Sequence, residues 1–224
     1  MSVDPYLELC LHVQAIRRLA EGRRTPLVPA LGVAADIYPH QVGNVLRVLT
    51  DVRVRHLLAD EVGLGKTVQA LMVLNALHDQ DPDLRVLVIV PDGLVPQWRD
   101  EIMTRAHTAP LGHADDTEEG EALGGGQYIR LAWETQLRRK GADGQPQFRL
   151  GDIDPDEYDV LVVDELHRLT SGTQDRIVRM APNFRHVLVL TATPSFQQPA
   201  RRAQLFALLE PEKTARAKWS VTSS

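Results

Sequence analysis

The sequence predicts an α/β fold in which a mainly parallel sheet is covered by helices on both faces. Near-continuous apolar runs rich in valine, isoleucine and leucine recur along the chain, at 85–90, 159–163 and 187–190. Runs of this kind, without polar alternation, are typical of parallel strands buried on both faces. Segments with helical periodicity lie between them, and alternating strands and helices favour a parallel sheet with right-handed crossovers.

The composition is that of one large globular domain, or of a domain with a short extension. The chain has 224 residues, of which 43% are hydrophobic and 25% are charged, and this length is enough to bury a sizeable core. We expect an N-terminal helical extension or linker at 1–35, the α/β domain at 36–212 and a tail at 213–224.

The net charge and the single cysteine show neither a general basic excess nor a disulfide framework. The formal net charge is -5, so there is no overall basic excess of the kind that marks many nucleic-acid binders. Short basic clusters at 23–24, 138–140 and 201–202 are interpreted as solvated surface. The single cysteine, Cys10, excludes an internal disulfide. Neither a secretory leader pattern nor an apolar run of the roughly 20 residues that span a bilayer is present, so a cytoplasmic location is expected.

A glycine-rich stretch at 60–67, Asp-Glu-Val-Gly-Leu-Gly-Lys-Thr, is the first segment with a clear chemistry. It lies between an apolar run at 56–59 and a helical pattern at 68–78. Glycine tolerates positive φ, so Gly63 and Gly65 would let backbone N–H groups approach a polyphosphate closely. The stretch therefore predicts a phosphate-binding loop between a strand and a helix.

The residues after these glycines complete a site for a nucleoside triphosphate. Lys66 offers a cation to the β and γ phosphates, Thr67 offers a hydroxyl to Mg²⁺, and the following helix points its positive end at the anion. The strict form of this loop has glycine where Asp60 stands, and a glycine-rich turn without a ligand is the alternative. The residues expected to contact the nucleotide here are Gly63, Leu64, Gly65, Lys66, Thr67 and Val68.

Upstream, Gln41 stands in Tyr-Pro-His-Gln at the start of a helical pattern over 42–49, 25 residues before Lys66. A glutamine amide can pair with both N6 and N7 of adenine. Taken alone, the tetrapeptide is interpreted as a surface turn. With a phosphate loop behind it, adenine binding by Gln41 is the favoured interpretation.

The middle of the chain alternates loops with short elements. We expect an exposed acidic and glycine-rich loop at 112–126, a short strand at 127–131 and a polar insertion without assigned chemistry at 140–156. Trp98, in the segment Asp92–Trp98 after the second strand, is interpreted as a helix-packing residue. A last helix is predicted at 200–209, before Pro211.

The strand at 159–163 is followed directly by two carboxylates, Asp164 and Glu165. Ligands of open α/β sheets bind at the carboxyl ends of the strands. There Asp164 can hold Mg²⁺ through water, while Glu165 can orient and deprotonate the water that attacks the γ-phosphate. A strand that ends in Asp-Glu by chance is the alternative.

Together, the loop at 60–67 and the Asp-Glu-Leu-His sequence at 164–167 resemble motifs I and II of superfamily 2 helicases, in particular Swi/Snf-type translocases. Gln41 resembles the Q motif, Asp92–Trp98 motif Ia, and Thr191-Ala192-Thr193-Pro194 motif III. Ala132–Thr135 is similar to a Thr-Tyr-Glu step of the same enzymes, although Trp133 replaces the tyrosine. The resemblance covers about 37–210.

This resemblance implies a RecA-like first lobe that uses ATP and Mg²⁺ and moves along double-stranded DNA, which it touches through loops at the carboxyl edge. It implies that His167 couples the nucleotide site to motif III, and that Thr191 and Thr193 hydrogen-bond toward motif II and relay the nucleotide state. An RNA-directed helicase and a nucleotide-sensing scaffold without motor activity are the alternatives.

Enzymes of this type also carry a second RecA-like lobe, for which 224 residues leave no room. The arginine fingers of that lobe stabilise the transferred phosphoryl group. We therefore expect a fragment of a longer enzyme, or one subunit of a split enzyme, that binds ATP but hydrolyses it poorly by itself.

Overall fold

The computed structural model describes residues 38–59, 63, 65–106, 128–138, 153–192 and 198–212. Five parallel strands form one sheet in the order β1-β5-β4-β2-β3. The strands are β1 (Arg55–Leu58), β2 (Val86–Val90), β3 (Ile129–Trp133), β4 (Val160–Asp164) and β5 (His186–Leu190). The predicted α/β class with a parallel sheet is confirmed.

Helices cover both faces of this sheet. They are α1 (Pro39–Leu49), α2 (Lys66–Gln80), α3 (Val95–Arg105), α4 (Glu134–Arg138), α5 (Ser171–Met180) and α6 (Pro199–Leu209). The first core cluster joins residues of α1, α2 and α3 to one face, and the second joins residues of α4, α5 and α6 to the other. Successive residues of β2 and β4 alternate between the clusters, as expected for strands buried on both faces.

Helix α2 is enclosed on all sides, since every residue from Thr67 to Leu77 is buried. Its two buried amides are satisfied by neighbours, as buried polar groups generally are. Gln69 accepts a hydrogen bond from the Asn44 side chain at 3.1 Å. Asn75 donates to the Arg105 carbonyl at 3.0 Å and accepts from the Tyr128 hydroxyl at 2.7 Å. These bonds tie α2 to its surroundings on both sides, so the position of its N-terminus is well defined.

Several boundaries differ from those predicted. The short strand expected at 127–131 runs instead from Ile129 to Trp133, because it pairs with β2 along its whole length. Helix α1 starts at Pro39, so Gln41 lies in its first turn. Helix α5 was not among the predicted elements.

Some predicted features fall outside the described residues. They are the N-terminal extension at 1–35, the exposed loop at 112–126, most of the insertion at 140–156 and the tail at 213–224. Within the described part of the chain, no helix is both long and apolar enough to cross a membrane.

Candidate functional site

Two glycines of the turn before α2 have the positive φ values that the sequence predicted for them. Gly63 and Gly65 have φ values of 86° and 74°, in the left-handed region that favours glycine. Gly65 is the residue immediately before α2, and the N–H groups of a first helical turn have no acceptor within the helix, so those of α2 open toward this turn. Such an N-terminus attracts anions. Asp60 and Leu64 lie outside the described residues.

Gln41 lies directly against this turn. Its side chain is buried, and its Oε1 accepts a hydrogen bond from the Tyr38 N–H at 3.0 Å. A Cβ on residue 65 would collide with the Gln41 amide nitrogen, so the close approach also requires glycine there. The structure thus places the Gln41 side chain against Gly65, and Gln41 lies in the first turn of α1 and not in a surface turn. Beside it, the exposed rings of Tyr38 and His40 are stacked at 5.9 Å.

Asp164 is the last residue of β4 and is buried, with the charge of Lys66 close enough to affect it. Burial is the main cause that raises the pKa of Asp164 to about 6, and the charge of Glu165 adds to it. A hydrogen bond from Trp98 and the positive charge of Lys66 lower the pKa in part. Lys66 at the start of α2 therefore lies within electrostatic range of Asp164 at the end of β4.

The partner of Asp164 is a residue that sequence reasoning treated only as packing. The Trp98 side chain is fully buried in the first core cluster, as predicted, and its Nε1–H also donates to Asp164 Oδ2 at 2.8 Å. A buried indole N–H needs an acceptor, and this need is the signal that could have revealed the contact. The acceptor could not be identified without knowing that β2 lies next to β4.

Glu165 has the most constrained backbone of the candidate residues. Its φ is 45°, and it is the one non-glycine residue with positive φ in the described part of the chain. Such a conformation costs about 1–3 kcal/mol and persists only where the surroundings enforce it. Here its N–H donates to the Leu190 carbonyl at 2.8 Å, across the β4–β5 pair.

The carboxylate of Glu165 is held by the segment after β5. Thr191 Oγ1 donates to Oε2 and the Ala192 N–H donates to Oε1, both at 2.9 Å. His167 Nδ1 lies 3.3 Å from Oε2. The contact expected between Thr191 and motif II is therefore present, while Thr193 lies outside the described residues.

Thr67 and Asp164 are suited to holding a magnesium ion. A hydroxyl and a carboxylate are hard oxygen donors, and Mg²⁺ in nucleotide sites commonly takes one or two protein ligands and completes its shell with phosphate oxygens and water. Thr67 lies in the first turn of α2, and both residues are buried. The donor chemistry at these two positions fits the ion.

Two further contacts at this edge were not predicted. Glu134, directly after β3, accepts hydrogen bonds from Thr170 and Thr173 of the α5 N-terminus. Trp133 lies beneath the guanidinium of Arg99, whose Cζ is 5.6 Å from the ring centroid, a cation–π distance. A tryptophan therefore packs well at the end of β3, where tyrosine was expected by resemblance.

We expect the substitution Trp98→Phe to raise the pKa of Asp164 above about 6 by roughly one unit, because the charged form loses a hydrogen bond while the aromatic ring is kept. A pH titration of the Asp164 carboxyl carbon by NMR measures this value. Trp133→Phe, at the end of β3, is the matched control and should leave it unchanged. An unaltered or lowered pKa in Trp98→Phe would contradict the assigned bond.

Comparison with known proteins shows what this chain is similar to. The model of the SNF2-related domain matches residues 39–122. The RNA polymerase-associated protein RapA of Sodalis glossinidius (strain morsitans) is 31% identical over 233 residues, which cover 95% of this chain and 22% of that protein. RapA of Serratia proteamaculans (strain 568) is 31% identical over 230 residues, with the same coverage of each chain. The chain thus spans about a fifth of the length of these relatives.

Solved structures show the same fold. The Sulfolobus solfataricus SWI2/SNF2 ATPase core in complex with dsDNA gives a TM-score of 0.61 at 21% identity, over 81% of this chain and 37% of that one. The UvsW helicase from Bacteriophage T4 gives a TM-score of 0.54 at 14% identity, over 77% of this chain and 57% of that one. The chain is thus similar to the SNF2-related family, and its described residues have the RecA-like fold found in a SWI2/SNF2 ATPase core.

Proposed function

We propose that this lobe binds Mg²⁺-ATP and supplies the hydrolytic residues of a motor that moves along double-stranded DNA. The observation that carries the proposal is the meeting of three elements at one edge of the sheet. The N-terminus of α2 with Lys66, the end of β4 with Asp164 and Glu165, and the Thr191 segment after β5 are in contact or within electrostatic reach of one another.

In this proposal the phosphates lie at the N-terminus of α2. Backbone N–H groups of the turn and of the first helical residues donate to the β and γ phosphates, and the Lys66 ammonium pairs with their charge. Gln41, held against Gly65, contacts the adenine edge. The contributing residues of the turn are Gly63, Leu64, Gly65, Lys66, Thr67 and Val68.

Thr67 and Asp164 would hold the magnesium ion, which neutralises negative charge on the β and γ phosphates when it is bound. Glu165 accepts a proton from the attacking water as the water oxygen bonds to the γ phosphorus and ADP leaves. Each carboxylate oxygen has two lone pairs, so the bonds from Thr191 and Ala192 orient Glu165 without using all of its acceptor capacity.

We propose that nucleic acid binds to the loops at the same edge of the sheet. The exposed Arg168 guanidinium lies about 4.0 Å from the place where a Cβ on Gly93 would stand, so a cation flanks the loop after β2. A structural neighbour is described as bound to dsDNA, which favours duplex DNA over RNA. Relatives described as RNA polymerase-associated make a transcription complex a candidate partner, and we place the protein in the cytoplasm.

A second RecA-like lobe, on the same chain or on a partner, completes the site in this proposal. Arginine side chains delivered from outside a nucleotide site raise turnover by about 10³ to 10⁵ in measured GTPases. The relevant assays therefore use the intact protein with both lobes.

Steady-state ATP turnover by that intact protein is expected to rise at least about tenfold when duplex DNA is added, because DNA contacts bring the two lobes together. Equal masses of RNA should give little or no increase. Stimulation by RNA alone would replace this function with that of an RNA helicase. Nucleotide binding without stimulation by either polymer would point to a nucleotide-sensing scaffold.

Two substitutions separate binding from hydrolysis. Lys66→Ala should weaken Mg²⁺-ATP binding by at least about tenfold, since a charge-assisted contact to phosphate is lost. Glu165→Gln should bind with nearly unchanged affinity but lower the hydrolysis rate by about 10² or more, because the general base is removed. Calorimetry and single-turnover hydrolysis measure the two effects.

The matched control for Glu165→Gln is Glu157→Gln, in the exposed turn that precedes β4. It should behave as the unmodified protein in both assays. Normal hydrolysis by Glu165→Gln would show that another group activates the water.

A further inference from the structure

Carboxylates that the proposed chemistry does not use link the loops after β2, β3 and β4. Glu134 accepts hydrogen bonds from the Thr170 N–H at 3.0 Å and from the hydroxyls of Thr170 and Thr173 at 2.7 and 2.8 Å. The next residue, Thr135, donates its N–H to Asp92 Oδ1 at 3.0 Å. A continuous series of bonds therefore runs from the loop after β2, through 134–135, to the start of α5.

Glu134 caps a helix that does not cap itself. Thr170 is the residue immediately before α5, but its side chain makes no capping bond within the helix. Its hydroxyl donates to Glu134 instead. A carboxylate at a helix N-terminus is stabilised by the helix dipole and receives charge-assisted hydrogen bonds. The first turn of α5 is thus fixed by a side chain from a different strand.

The segment between β4 and α5 is anchored at both ends by these contacts. At its beginning, Asp164 receives the hydrogen bond of Trp98, from the helix after β2. At its end, Thr170 is bound by Glu134. Glu165, with its positive φ, lies inside this short span. A displacement of either anchor changes the backbone that orients the Glu165 carboxylate.

Apolar packing in the core also connects β3 and α4 with the segment after β4. Leu166 and Leu169 of the segment after β4 are buried in the second core cluster, which also contains Ala132 of β3 and Leu137 of α4. Closely packed side chains transmit small shifts because the interior has few voids. Helix α4 and the segment that carries Glu165 therefore belong to one apolar cluster and are also linked by the Glu134 bonds.

We propose that Glu134 is a positioning residue that transmits contacts at the loop after β2 to the hydrolytic residue Glu165. The inference rests on the proposed function, in which that loop touches the nucleic-acid backbone. Contact at Asp92 and its neighbours shifts the 134–135 step, the shift moves the first turn of α5, and the turn re-aims Glu165. Glu134 itself touches neither nucleotide nor nucleic acid in this scheme.

The test is Glu134→Gln in the intact protein with both lobes. Glutamine keeps the size of the side chain but presents an N–H₂ group to donors that need an acceptor. The ratio of DNA-stimulated to basal kcat should fall about tenfold, because small misplacements of catalytic groups are costly. The KM for ATP and the affinity for duplex DNA should stay within about twofold, which separates lost positioning from lost binding.

A second variant and a control make the result specific. Thr173→Val keeps the shape of a buried side chain and removes one of the three donors, so a smaller fall of about threefold is expected. Combined with Glu134→Gln it should cause no further loss, because both changes remove the same interaction. Glu157→Gln, on the opposite edge of the sheet, should match the unmodified protein throughout.

Each of the following results would overturn the inference about Glu134. A DNA-stimulated kcat within twofold of the unmodified value in Glu134→Gln overturns this inference and leaves the proposed function standing. A parallel fall in ATP affinity and in Tm also overturns it, since the role of Glu134 would then be structural. If the unmodified protein shows no stimulation by duplex DNA, the proposed function and this inference fall together.

Discussion

The site depends on the hydrogen bonds through which the segment after β5 fixes the Glu165 carboxylate. Glu165 takes up a left-handed backbone conformation, and both of its oxygens accept hydrogen bonds from Thr191 and Ala192. Neither feature arises from local sequence preference, because glutamate is disfavoured at positive φ. The parallel pairing of β4 with β5 sets Asp164 opposite Leu190 and so brings together the residues that follow each strand, where these hydrogen bonds form.

The remainder of the site is arranged around this pair of strands. Helix α2 is buried along most of its length, so its N-terminus and Lys66 are presented at a fixed place beside the end of β4. The hydrogen bond from Trp98 links Asp164 to the helix after β2. The hydrogen bond from Thr170 to Glu134 links the start of α5 to the end of β3. The residues that would meet ATP are thus supported by a frame of buried side chains and loop-to-loop hydrogen bonds, an arrangement that favours preorganised chemistry.

Much of the fold and the chemistry of the site could be predicted from the sequence. Apolar runs identified β2, β4 and β5, and the spacing of Gly63 and Gly65 predicted the positive φ values that both adopt. The strand order could not be predicted, because the runs look alike and nothing in them says that β4 separates β5 from β2. Trp98 and Asp164 lie 66 residues apart and meet only because of that order.

Helix α5 shows a second limit of prediction. Its sequence includes Gly172, Thr173 and Val178, which are weak helix formers. The helix is stabilised by tertiary contacts: Thr173, Ile177 and Met180 form its buried face, and Glu134 caps its N-terminus from outside. The buried positions have the i, i+4, i+7 spacing of a helix, but one of the three is a threonine and the segment is short, so the pattern was not recognised as a helix.

The most direct test of this account is single-turnover ATP hydrolysis by Thr191→Val in the intact protein, beside Mg²⁺-ATP binding by calorimetry. Valine keeps the shape of threonine and removes the hydroxyl that donates to Glu165. The account predicts hydrolysis slower by about tenfold with nearly unchanged affinity, because general-base catalysis depends on the orientation of the base. Thr50→Val, at an exposed threonine after α1, is the matched control. Hydrolysis by Thr191→Val at the unmodified rate would contradict the claim that this bond sets the position of Glu165.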